Sequence, residues 1–492
     1  MNSNERQGQR VMTKFIIGID GGTQSTTVIV FDMQGHVLCE ASQPLRPMNT
    51  PKPGIVEHPD DDIYDSLVEA ASRAMAAFQG DPADIVGVGL CTIRSCRALV
   101  RRDLTLAEPV QSWMDERLAK PYEHSNDDVA YVTTLSGYLM GRLTGEAADT
   151  VANYIGPWPM DVQTWDWFAD QAVFDSFNVP RDMLYRLQMP GDIGGSVNEE
   201  FAQNTGIPQG IPVVHTASDK AADALGAGLR DEQTGLVSLG TYIAGMIVGK
   251  EFVAEPNSYF INFGAEPNRY VYESAGIRRG MWTVSWLRDL LGAEVVLAAA
   301  KDGVSREDYL NSVASAVPAG SDGLLCLLDW LAPPTAPHKK GLFIGFDERH
   351  GYAHMYRAVF EGIAFTMHRN MVALENERSV HLETLVVAGG GSYSDLCMQI
   401  FADVFGIPAV RDEVRHSAGL GAAICTAVAC GVYPDFDTAS LQMIRRKDTF
   451  LPNAQLAPLY SQLGAIHADI RAHTDPILRR VHQVLLDNEG VA

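Results

Sequence analysis

The amino-acid sequence predicts an α/β protein built from two related lobes. Its 492 residues suit two large domains. With 46% apolar and 20% charged residues, the chain can bury two sizeable cores. A strand–turn–strand pattern near the start of the chain recurs in its second half. We therefore place one lobe at residues 14–229 and the other at residues 230–475.

Composition and charge exclude several classes of partner and indicate a cytoplasmic protein. The net charge of -23 repels nucleic acid and anionic lipid, and no run of Lys or Arg offsets it. The seven cysteines include no C-x-x-C pair and are typical of reduced thiols. The segment 1–14 is polar, and no stretch is long and apolar enough to cross a bilayer. We expect no nucleic-acid partner and no membrane association.

The first lobe begins with a predicted β-hairpin. Apolar runs at Phe15–Asp20 and Thr27–Asp32 are typical of strands, and the Gly/Thr/Ser segment between them is typical of a turn. The further predicted elements are a helix from residue 59 to about residue 78, a strand at Ile85–Leu90, a helix at Val132–Leu143 and a strand at Ile211–Thr216.

The second lobe repeats the hairpin. Gly235–Leu239 and Tyr242–Val248 are predicted strands, and Gly240-Thr241 is the turn that joins them. The elements that follow are a helix at Tyr352–Glu375, a strand at Thr384–Ala388 and a helix at Ser394–Phe405. Each lobe thus carries a hairpin whose tip could face a shared cleft.

The first candidate site is the turn of the N-terminal hairpin. Gly22 lets the backbone approach a phosphate group closely, and consecutive N–H groups at a turn form an anion-binding concavity. The hydroxyls of Thr23, Ser25 and Thr26 add donors, and Asp20 beside them can hold Mg²⁺. A plain polar turn is the alternative. The sequence contains no G-x-x-x-x-G-K-[ST] motif that would bind a nucleotide in another way.

The second candidate site is Asp219, which follows a predicted strand. A carboxylate at the end of a strand is well placed to accept a proton from a substrate hydroxyl, although a helix cap is the alternative. Lys220 could contact a substrate or a phosphate group. It could instead pair with Asp223 or Glu232 at the surface.

Two glycine-containing turns of the second lobe are further candidates. Gly240-Thr241 resembles the first phosphate turn in composition and position. Gly389-Gly390-Gly391, followed by Asp395, can seat a flat adenine and its ribose, or can make only a tight turn. Each motif is weak alone, and their order along the chain is the informative feature.

Taken together, these motifs resemble the FGGY carbohydrate kinase family over residues 15–436. The most specific match is Gly341-Leu342-Phe343-Ile344-Gly345, although the family usually has a smaller aliphatic residue at the position of Phe346. The residues that follow at the family's spacing are His354, Met355, Ala358, Val359, Phe360 and Glu361. Within the family, the chain is similar to uncharacterised sugar kinases of enteric bacteria that lie near the xylulose and ribulose kinases.

The resemblance implies a fold and a set of roles. The fold is two ribonuclease-H-like lobes of the actin and hexokinase type with a central cleft, with ATP on the second lobe and the sugar mainly on the first. By the same resemblance, Asp20 to Thr26 is the first phosphate loop, Asp219 the catalytic base, Gly240 and Thr241 the second phosphate loop, and Gly390, Gly391 and Asp395 the adenosine site.

The sugar pocket is implied in the same way. Arg94 matches a contact to substrate hydroxyls, with a surface salt bridge as the alternative. Trp113 and Asp115 belong to a W-x-D-x-R segment that supports the pocket, with a core anchor as the alternative for Trp113. The chain departs from the family at Thr27, where many members have Lys or Arg. The segment 117–136 is also short and lacks the K-x-x-W signature, which leaves the pocket walls undefined.

The sequence therefore predicts an ATP-dependent carbohydrate kinase that requires Mg²⁺. It would transfer the γ-phosphoryl group to a hydroxyl of a small sugar, a ketopentose such as xylulose or ribulose, or a polyol. The alternatives are an actin-like ATPase and a sensor that binds sugar and ATP without catalysis. Neither an additional partner domain nor a basic helix-turn-helix is evident to favour them. A homodimer is an assembly that the sequence leaves open.

Overall fold

The computed structural model describes residues 14–333 and 335–488. The polar N-terminal segment considered above lies outside the described residues up to position 13. Within the described ranges, no helix combines the length and apolar character needed to span a bilayer.

The described residues form strands and helices that alternate along much of the chain. The strands are β1 (Phe15–Gly21), β2 (Ser25–Asp32), β3 (Val37–Pro44), β4 (Ile85–Thr92), β5 (Ala98–Val100), β6 (Tyr131–Thr133), β7 (Ala148–Thr150), β8 (Met160–Asp161), β9 (Asp166–Trp167), β10 (Arg186–Gln188), β11 (Ile193–Ser196), β12 (Pro212–Ser218), β13 (Thr234–Leu239), β14 (Ile243–Gly249), β15 (Tyr259–Phe263), β16 (Tyr270–Ser274), β17 (Leu325–Leu327), β18 (Leu342–Ile344), β19 (Thr384–Gly389), β20 (Ala409–Asp412) and β21 (Arg446–Phe450). The helices are α1 (Asp62–Ala77), α2 (Leu135–Thr144), α3 (Gln171–Asp175), α4 (Glu199–Thr205), α5 (Asp219–Gly226), α6 (Gly280–Leu290), α7 (Gly292–Asp302), α8 (Arg306–Ser315), α9 (Tyr352–Arg378), α10 (Asp395–Phe405), α11 (Ser417–Ala429), α12 (Phe436–Met443) and α13 (Ala457–Asp487).

The chain divides into two compact units. The first comprises residues 14–228 together with Asn262–Tyr270 and His416–Ile444. The second comprises Leu229–Ile261, Val271–Arg415 and residues 445–488. Neither unit is continuous in sequence. The functional domains placed at 14–229 and 230–475 stay a prediction.

The main sheets of the two units share a strand order. In the first unit the order is β11-β12-β4-β1-β2-β3, with β1, β4 and β12 parallel and the β1–β2–β3 meander antiparallel. In the second the order is β15-β16-β14-β13-β19-β20-β21, with β13, β19 and β20 parallel and the β13–β14 hairpin antiparallel. The run β3-β2-β1-β4-β12 thus corresponds to β16-β14-β13-β19-β20. This repetition confirms the prediction of two related α/β lobes.

Helix α11 is fixed against the sheet of the first unit by glycines. A Cβ atom at Gly18 in β1 would collide with the backbone of Gly419, and one at Gly89 in β4 would collide with that of Ala422. The same helix packs on α5, where Gly226 leaves no room for a side chain beside the Ser417 carbonyl. Close backbone approach of this kind requires residues without a Cβ. It sets the position of α5.

The predicted elements are largely confirmed, with one clear error. The segment predicted as the start of a helix at residue 132 is strand β6, whose Val132 pairs with Leu99 of β5. Helix α2 begins only at Leu135. β-branched Val132 and Thr133 fit a pleated surface better than a helix, which explains the difference. The seven cysteines, all in the described part of the chain, are free thiols as expected.

Candidate active site

Three charged residues that are far apart in sequence meet at one edge of the first sheet. Asp20 lies near the end of β1, Arg94 follows β4, and Asp219 follows β12. Because these strands are parallel neighbours, their carboxyl ends lie at the same edge, where ligands of α/β sheets commonly bind. The charge of Arg94 acts directly on Asp219, and that of Asp219 acts on Asp20. The strand order alone therefore assembles a charged site.

Asp219 begins helix α5 without capping it. The cap is Ser218, whose Oγ accepts a hydrogen bond from the Ala221 N–H at 3.3 Å. The Asp219 carboxylate accepts a local hydrogen bond from the Lys220 N–H at 2.9 Å. The side chain is half-buried. The alternative that Asp219 is a helix cap is therefore wrong, and its carboxylate is available for chemistry.

The carboxylates of this site perturb one another. Desolvation raises the pKa of Asp219, although the charges of Lys220 and Arg94 work in the opposite direction. The pKa of Asp20 rises to about 7, because burial and the negative charges of Asp219 and Asp223 disfavour its ionised form. Carboxylates whose pKa values are raised by burial and by one another are typical of functional sites.

Lys220 is close to the carboxylates of this site, and its pairing with Asp223, one of the alternatives, stays a prediction. Its charge lowers the pKa values of both Asp20 and Asp219, so it lies among these carboxylates. Glu232, one of the partners considered, is instead bound by Arg378 at 3.0 Å. Lys220 thus belongs electrostatically to the candidate active site.

The site suits a divalent cation that takes few protein ligands. In the part of the chain that the structure describes, no three His, Cys, Asp or Glu side chains converge as a metal-binding group. Mg²⁺ beside a nucleotide takes only one or two carboxylates, and phosphate oxygens and waters complete its shell. Burial and the charges of Asp219 and Asp223 raise the pKa of Asp20 to about 7, and a cation beside Asp20 would favour its ionised form, so Asp20 fits such a role.

The first hairpin turn is tight, and its side chains divide into two groups. The Gly22 N–H donates to the Ser25 carbonyl at 3.0 Å. Thr23 and Ser25 are only half-buried, so both side chains retain access to solvent. Thr26 is buried, and its hydroxyl lies 2.7 Å from that of Ser66 in α1. Thr26 thus joins the hairpin to α1, and its predicted phosphate contact stays a prediction that this bond does not favour.

The W-x-D-x-R segment contains one exposed side chain, Trp113, and one side chain fully engaged in hydrogen bonds, Asp115. Trp113 is 46% exposed, so the core-anchor alternative is wrong. Asp115 is fully engaged: its carboxylate accepts from the Val56 N–H at 2.8 Å and from the Arg117 guanidinium at 2.9 Å. We infer that Asp115 holds the segment in place. A direct contact of Asp115 with substrate stays a prediction.

The second hairpin turn is tied to the start of α6. The Gly280 N–H donates to the Thr241 carbonyl at 2.8 Å, and the Met281 N–H donates to the Gly240 carbonyl at 3.1 Å. Thr241 itself is exposed. The turn is therefore rigid, with its side chain facing solvent.

A cavity of about 440 Å³ lies beside this turn and is lined by two glycines of the triplet. Gly390 and Gly391 line it, together with Met281 of α6, Asn311 of α8 and Tyr356 of α9. Its size suits a nucleoside. The predicted adenosine site therefore lies at a cavity, and the structure adds walls from three helices that no sequence motif indicated.

Each position of the triplet is a glycine for a different structural reason. Gly389 has a φ of 83°, and a Cβ there would lie 2.6 Å from the Leu239 carbonyl oxygen. A Cβ at Gly391 would lie 2.5 Å from Leu239 Cδ1, whereas one at Gly390 would meet no atom within 4 Å. Of these three glycines, Gly390 is therefore the one whose added Cβ would meet no described atom. Its small size serves the cavity.

Asp395 lies outside this cavity wall. Its side chain is 75% exposed and pairs with Arg411 at 2.8 Å. The neighbouring Ser394, by contrast, lines the cavity, caps α10 and donates to Asn311 Oδ1 at 2.7 Å. The predicted adenosine contact of Asp395 stays a prediction, and its surroundings favour a surface role.

The most family-specific motif is structural. Gly345 has a φ of 103° and lies against the Gly323 carbonyl. Glu361 is buried and accepts from the Gly320 N–H at 2.9 Å and the Ser321 hydroxyl at 2.8 Å. It also pairs with Arg357 at 2.9 Å. The motif therefore holds the loop before β17 onto α9.

Two family models together match most of the chain. The N-terminal domain model of the FGGY family of carbohydrate kinases matches residues 15–130 and 118–226. The C-terminal domain model of the same family matches residues 235–430. The resemblance inferred from the sequence motifs is thereby confirmed.

Individual proteins agree with this match. An uncharacterised sugar kinase, YgcE, of Escherichia coli (strain K12) is 49% identical over 473 residues, which cover 96% of each chain. An autoinducer-2 kinase of Klebsiella pneumoniae is 26% identical over 91% of this chain and 92% of its own. The solved structure of a xylulose kinase from Lactobacillus acidophilus has a TM-score of 0.80 at 21% identity, covering 94% of this chain and 98% of its own. This likeness confirms the predicted fold class, α/β with two actin/hexokinase-type lobes.

Proposed function

Since the chain belongs to the FGGY family of carbohydrate kinases, we propose that this sugar phosphotransferase moves the γ-phosphoryl group of ATP onto a hydroxyl of a small sugar. The observation that carries the proposal is the convergence of Asp20, Arg94 and Asp219 at one sheet edge, with the Asp219 carboxylate free of a capping role. Sugar kinases of this family use ATP.

Asp219 is the proposed proton acceptor. Its raised pKa makes it a stronger base than an ordinary aspartate, and Lys220 and Arg94 keep it ionised against the cost of burial. In phosphoryl transfer the protein contributes mainly positioning and charge stabilisation. Asp219 would take the proton of the sugar hydroxyl while Arg94 donates to a neighbouring hydroxyl.

The nucleotide is assigned to the second unit. Gly390 and Gly391 let the adenosine lie close to the backbone, with Tyr356 and Met281 as apolar walls. The turns at Gly22–Ser25 and Gly240-Thr241 supply donors for phosphate oxygens. Mg²⁺, held at Asp20, would neutralise phosphate charge when bound.

A ketopentose such as xylulose or ribulose, or a polyol, is the proposed acceptor. The relatives described above include a xylulose kinase and an autoinducer-2 kinase, whose names give small molecules as their substrates. Arg94 and the exposed Trp113 offer one charged donor and one aromatic face, a combination suited to a hydroxyl-rich ligand.

The test is a panel of ketopentoses, aldoses and polyols assayed for ADP release with MgATP. We expect release to depend on the acceptor, with at least one ketopentose or polyol active and only slow hydrolysis without it. ATP binding in the absence of turnover on any neutral acceptor would overturn the proposed acceptor class and favour a sensor. Vigorous ADP release without any sugar would favour an ATPase.

A further inference from the structure

The first unit contains a polar cavity that is lined by side chains other than those of the candidate active site. Its volume is about 320 Å³. Arg97, Gln111 and Tyr122 form its buried part, and the exposed Lys52 and Lys120 lie at its rim. Among the described residues, neither Arg94 nor Asp219 lines it.

Arg97 is held in this cavity by the backbone. Its N–H donates to the Gln111 carbonyl at 3.1 Å, and the Gln111 N–H donates back at 2.9 Å. Residues that face each other in an antiparallel pair project their side chains to the same side, which brings both into the cavity. Arg97 is only 2% exposed.

Two nitrogens of the Arg97 guanidinium are buried without a hydrogen-bond acceptor among the described residues. In the described part of the chain, no group accepts a hydrogen bond from its Nε or Nη2. Its charge lies 5.7 Å from the ring centroids of both Tyr122 and Trp158, and aromatic faces neutralise it only in part. Burial lowers the pKa of Arg97 to about 10. A buried charge without an ion-pair partner is costly, so the two free nitrogens of Arg97 are suited to an anionic ligand.

The surrounding carboxylates serve other groups. Asp115, whose charge acts on Arg97, is bound by Arg117, as is Glu57 at 2.6 Å. Glu116 pairs with Lys120 at 3.5 Å. Glu108 accepts from Asn126 at 3.0 Å, and the remaining lining carboxylate, Glu123, is exposed. Within the described chain, none of these carboxylates accepts a hydrogen bond from Nε or Nη2 of Arg97.

Gln111 completes the chemistry of the cavity. Its Oε1 is buried and, within the residues described, has no hydrogen-bond donor. The guanidinium requires an anionic acceptor, and the amide oxygen requires a donor such as a hydroxyl. We propose that this cavity binds the oxyanion of a small polyhydroxylated acid, with Arg97 on the anion and Gln111 on a hydroxyl.

Calorimetry with paired probes tests this site. D-gluconate and D-glucitol have the same carbon count and differ in one carboxylate, and inorganic phosphate supplies an oxyanion without hydroxyls. On the full chain we expect gluconate to bind at least about tenfold more tightly than glucitol, because only gluconate has a carboxylate that can accept charged hydrogen bonds. Phosphate should compete with gluconate.

The decisive variant is Arg97→Met, which keeps volume and removes the charge. We expect it to weaken gluconate binding about tenfold or more while the melting temperature stays level or rises, because an unpaired buried charge is lost. Arg102→Met is the matched control, since Arg102 is exposed nearby, and it should leave gluconate binding unchanged. Arg97→Lys, a second variant, should retain part of the binding.

Two results would overturn the proposal: gluconate and phosphate binding no better than glucitol, or equal gluconate binding by Arg97→Met and the native chain. The source of the oxyanion is read separately. If ADP release depends on gluconate and is lost in Asp219→Asn, the bound acid is itself the phosphoryl acceptor. If gluconate binds without being phosphorylated, and binds at the same time as the acceptor sugar, it is a ligand distinct from the acceptor.

Discussion

The candidate catalytic site of the first unit is built from charged side chains, whereas the candidate nucleotide cavity of the second is lined mostly by apolar and neutral polar residues, with Gly390 and Gly391 among them. In the first, burial and the negative charges of Asp219 and Asp223 raise the pKa of Asp20 to about 7. In the second, two of the three charged wall residues, Arg288 and Glu307, form an ion pair, and the third is Asp308. The first site is thus destabilised by its own charges, and the second is defined by shape.

This difference determines which substitutions are informative in each unit. A change that keeps size and removes charge should affect activity in the first unit and should leave folding intact or improved. A change that adds volume should affect binding in the second. The following predictions test that contrast.

The largest effect is expected for Asp219→Asn. Asparagine keeps the size of the side chain and removes the proton acceptor, so kcat should fall about 100- to 10,000-fold while both binding constants change little. Kinetics on the acceptor found by the panel, with a melting curve, would measure this. Ser218→Ala is the matched control. It removes the actual cap and should cost about 1 kcal/mol of stability. Near-normal kcat in Asp219→Asn would remove the proposed base.

Asp20→Asn should stabilise the metal-free protein in a pH-dependent way. The pKa of Asp20 is raised from 3.8 to about 7, so the folded state binds this proton more tightly than the unfolded state does. Its cost to folding is therefore present above about pH 7 and disappears below about pH 4. The variant should be more stable by about 1 to 4 kcal/mol at pH 8 and equal to the native chain near pH 4. Urea unfolding at both pH values in EDTA measures this. An advantage that grows on acidification would contradict the assignment.

Arg94→Ala should raise the KM for the sugar about ten- to hundredfold, since a charged hydrogen bond to substrate is worth about 1.5 to 3 kcal/mol. The affinity for ATP should stay nearly intact, because Arg94 belongs to the first unit and acts on Asp219. Initial rates over a sugar series and calorimetry with ATP separate the two. An equal loss of ATP affinity would assign Arg94 to the nucleotide.

Local patterns were enough to predict the elements that carry the sites. The hairpins β1–β2 and β13–β14 and the helices α9 and α10 follow from apolar periodicity and turn residues, which are properties of short segments. The same holds for Asp20 and Asp219, whose positions at strand ends are visible in the sequence. Strand β6 was missed because its pairing with β5 depends on a partner about 30 residues away.

Tertiary packing decided what the sequence could not predict. Helix α11 belongs to the first unit although it lies near residue 420, because Gly18, Gly89 and Gly226 admit its backbone. The walls that Met281, Asn311 and Tyr356 give to the nucleotide cavity come from three helices with no shared motif. Contacts of this range leave no local signature in one sequence.

Gly390→Val should weaken ATP binding about tenfold and leave the melting temperature nearly unchanged. A Cβ at this position meets no described atom within 4 Å, so the added side chain enters only the cavity. Gly391→Ala is the contrasting variant. Its Cβ would lie 2.5 Å from Leu239 Cδ1, so it should lower the melting temperature as well. Unchanged ATP affinity in a folded Gly390→Val would show that the triplet is only a turn.

The smallest effect is expected for Asp395→Ala. Asp395 is 75% exposed, and its partner Arg411 keeps a 2.7 Å ion pair with Asp448 and a 2.9 Å bond to the Ser392 carbonyl. Surface ion pairs contribute about 0 to 1 kcal/mol, so stability should fall by less than about 1 kcal/mol.

The ATP affinity of Asp395→Ala should stay within about threefold, because Asp395 lies outside the wall of the cavity. Arg411→Ala is the sensitive counterpart, since it releases the Ser392 carbonyl and with it the turn that carries Gly390 and Gly391. We expect it to weaken ATP binding more than Asp395→Ala does, and calorimetry on both variants measures the difference. A tenfold loss in Asp395→Ala alone would return the carboxylate to the adenosine site and show that charge, as well as shape, defines the second unit's cavity.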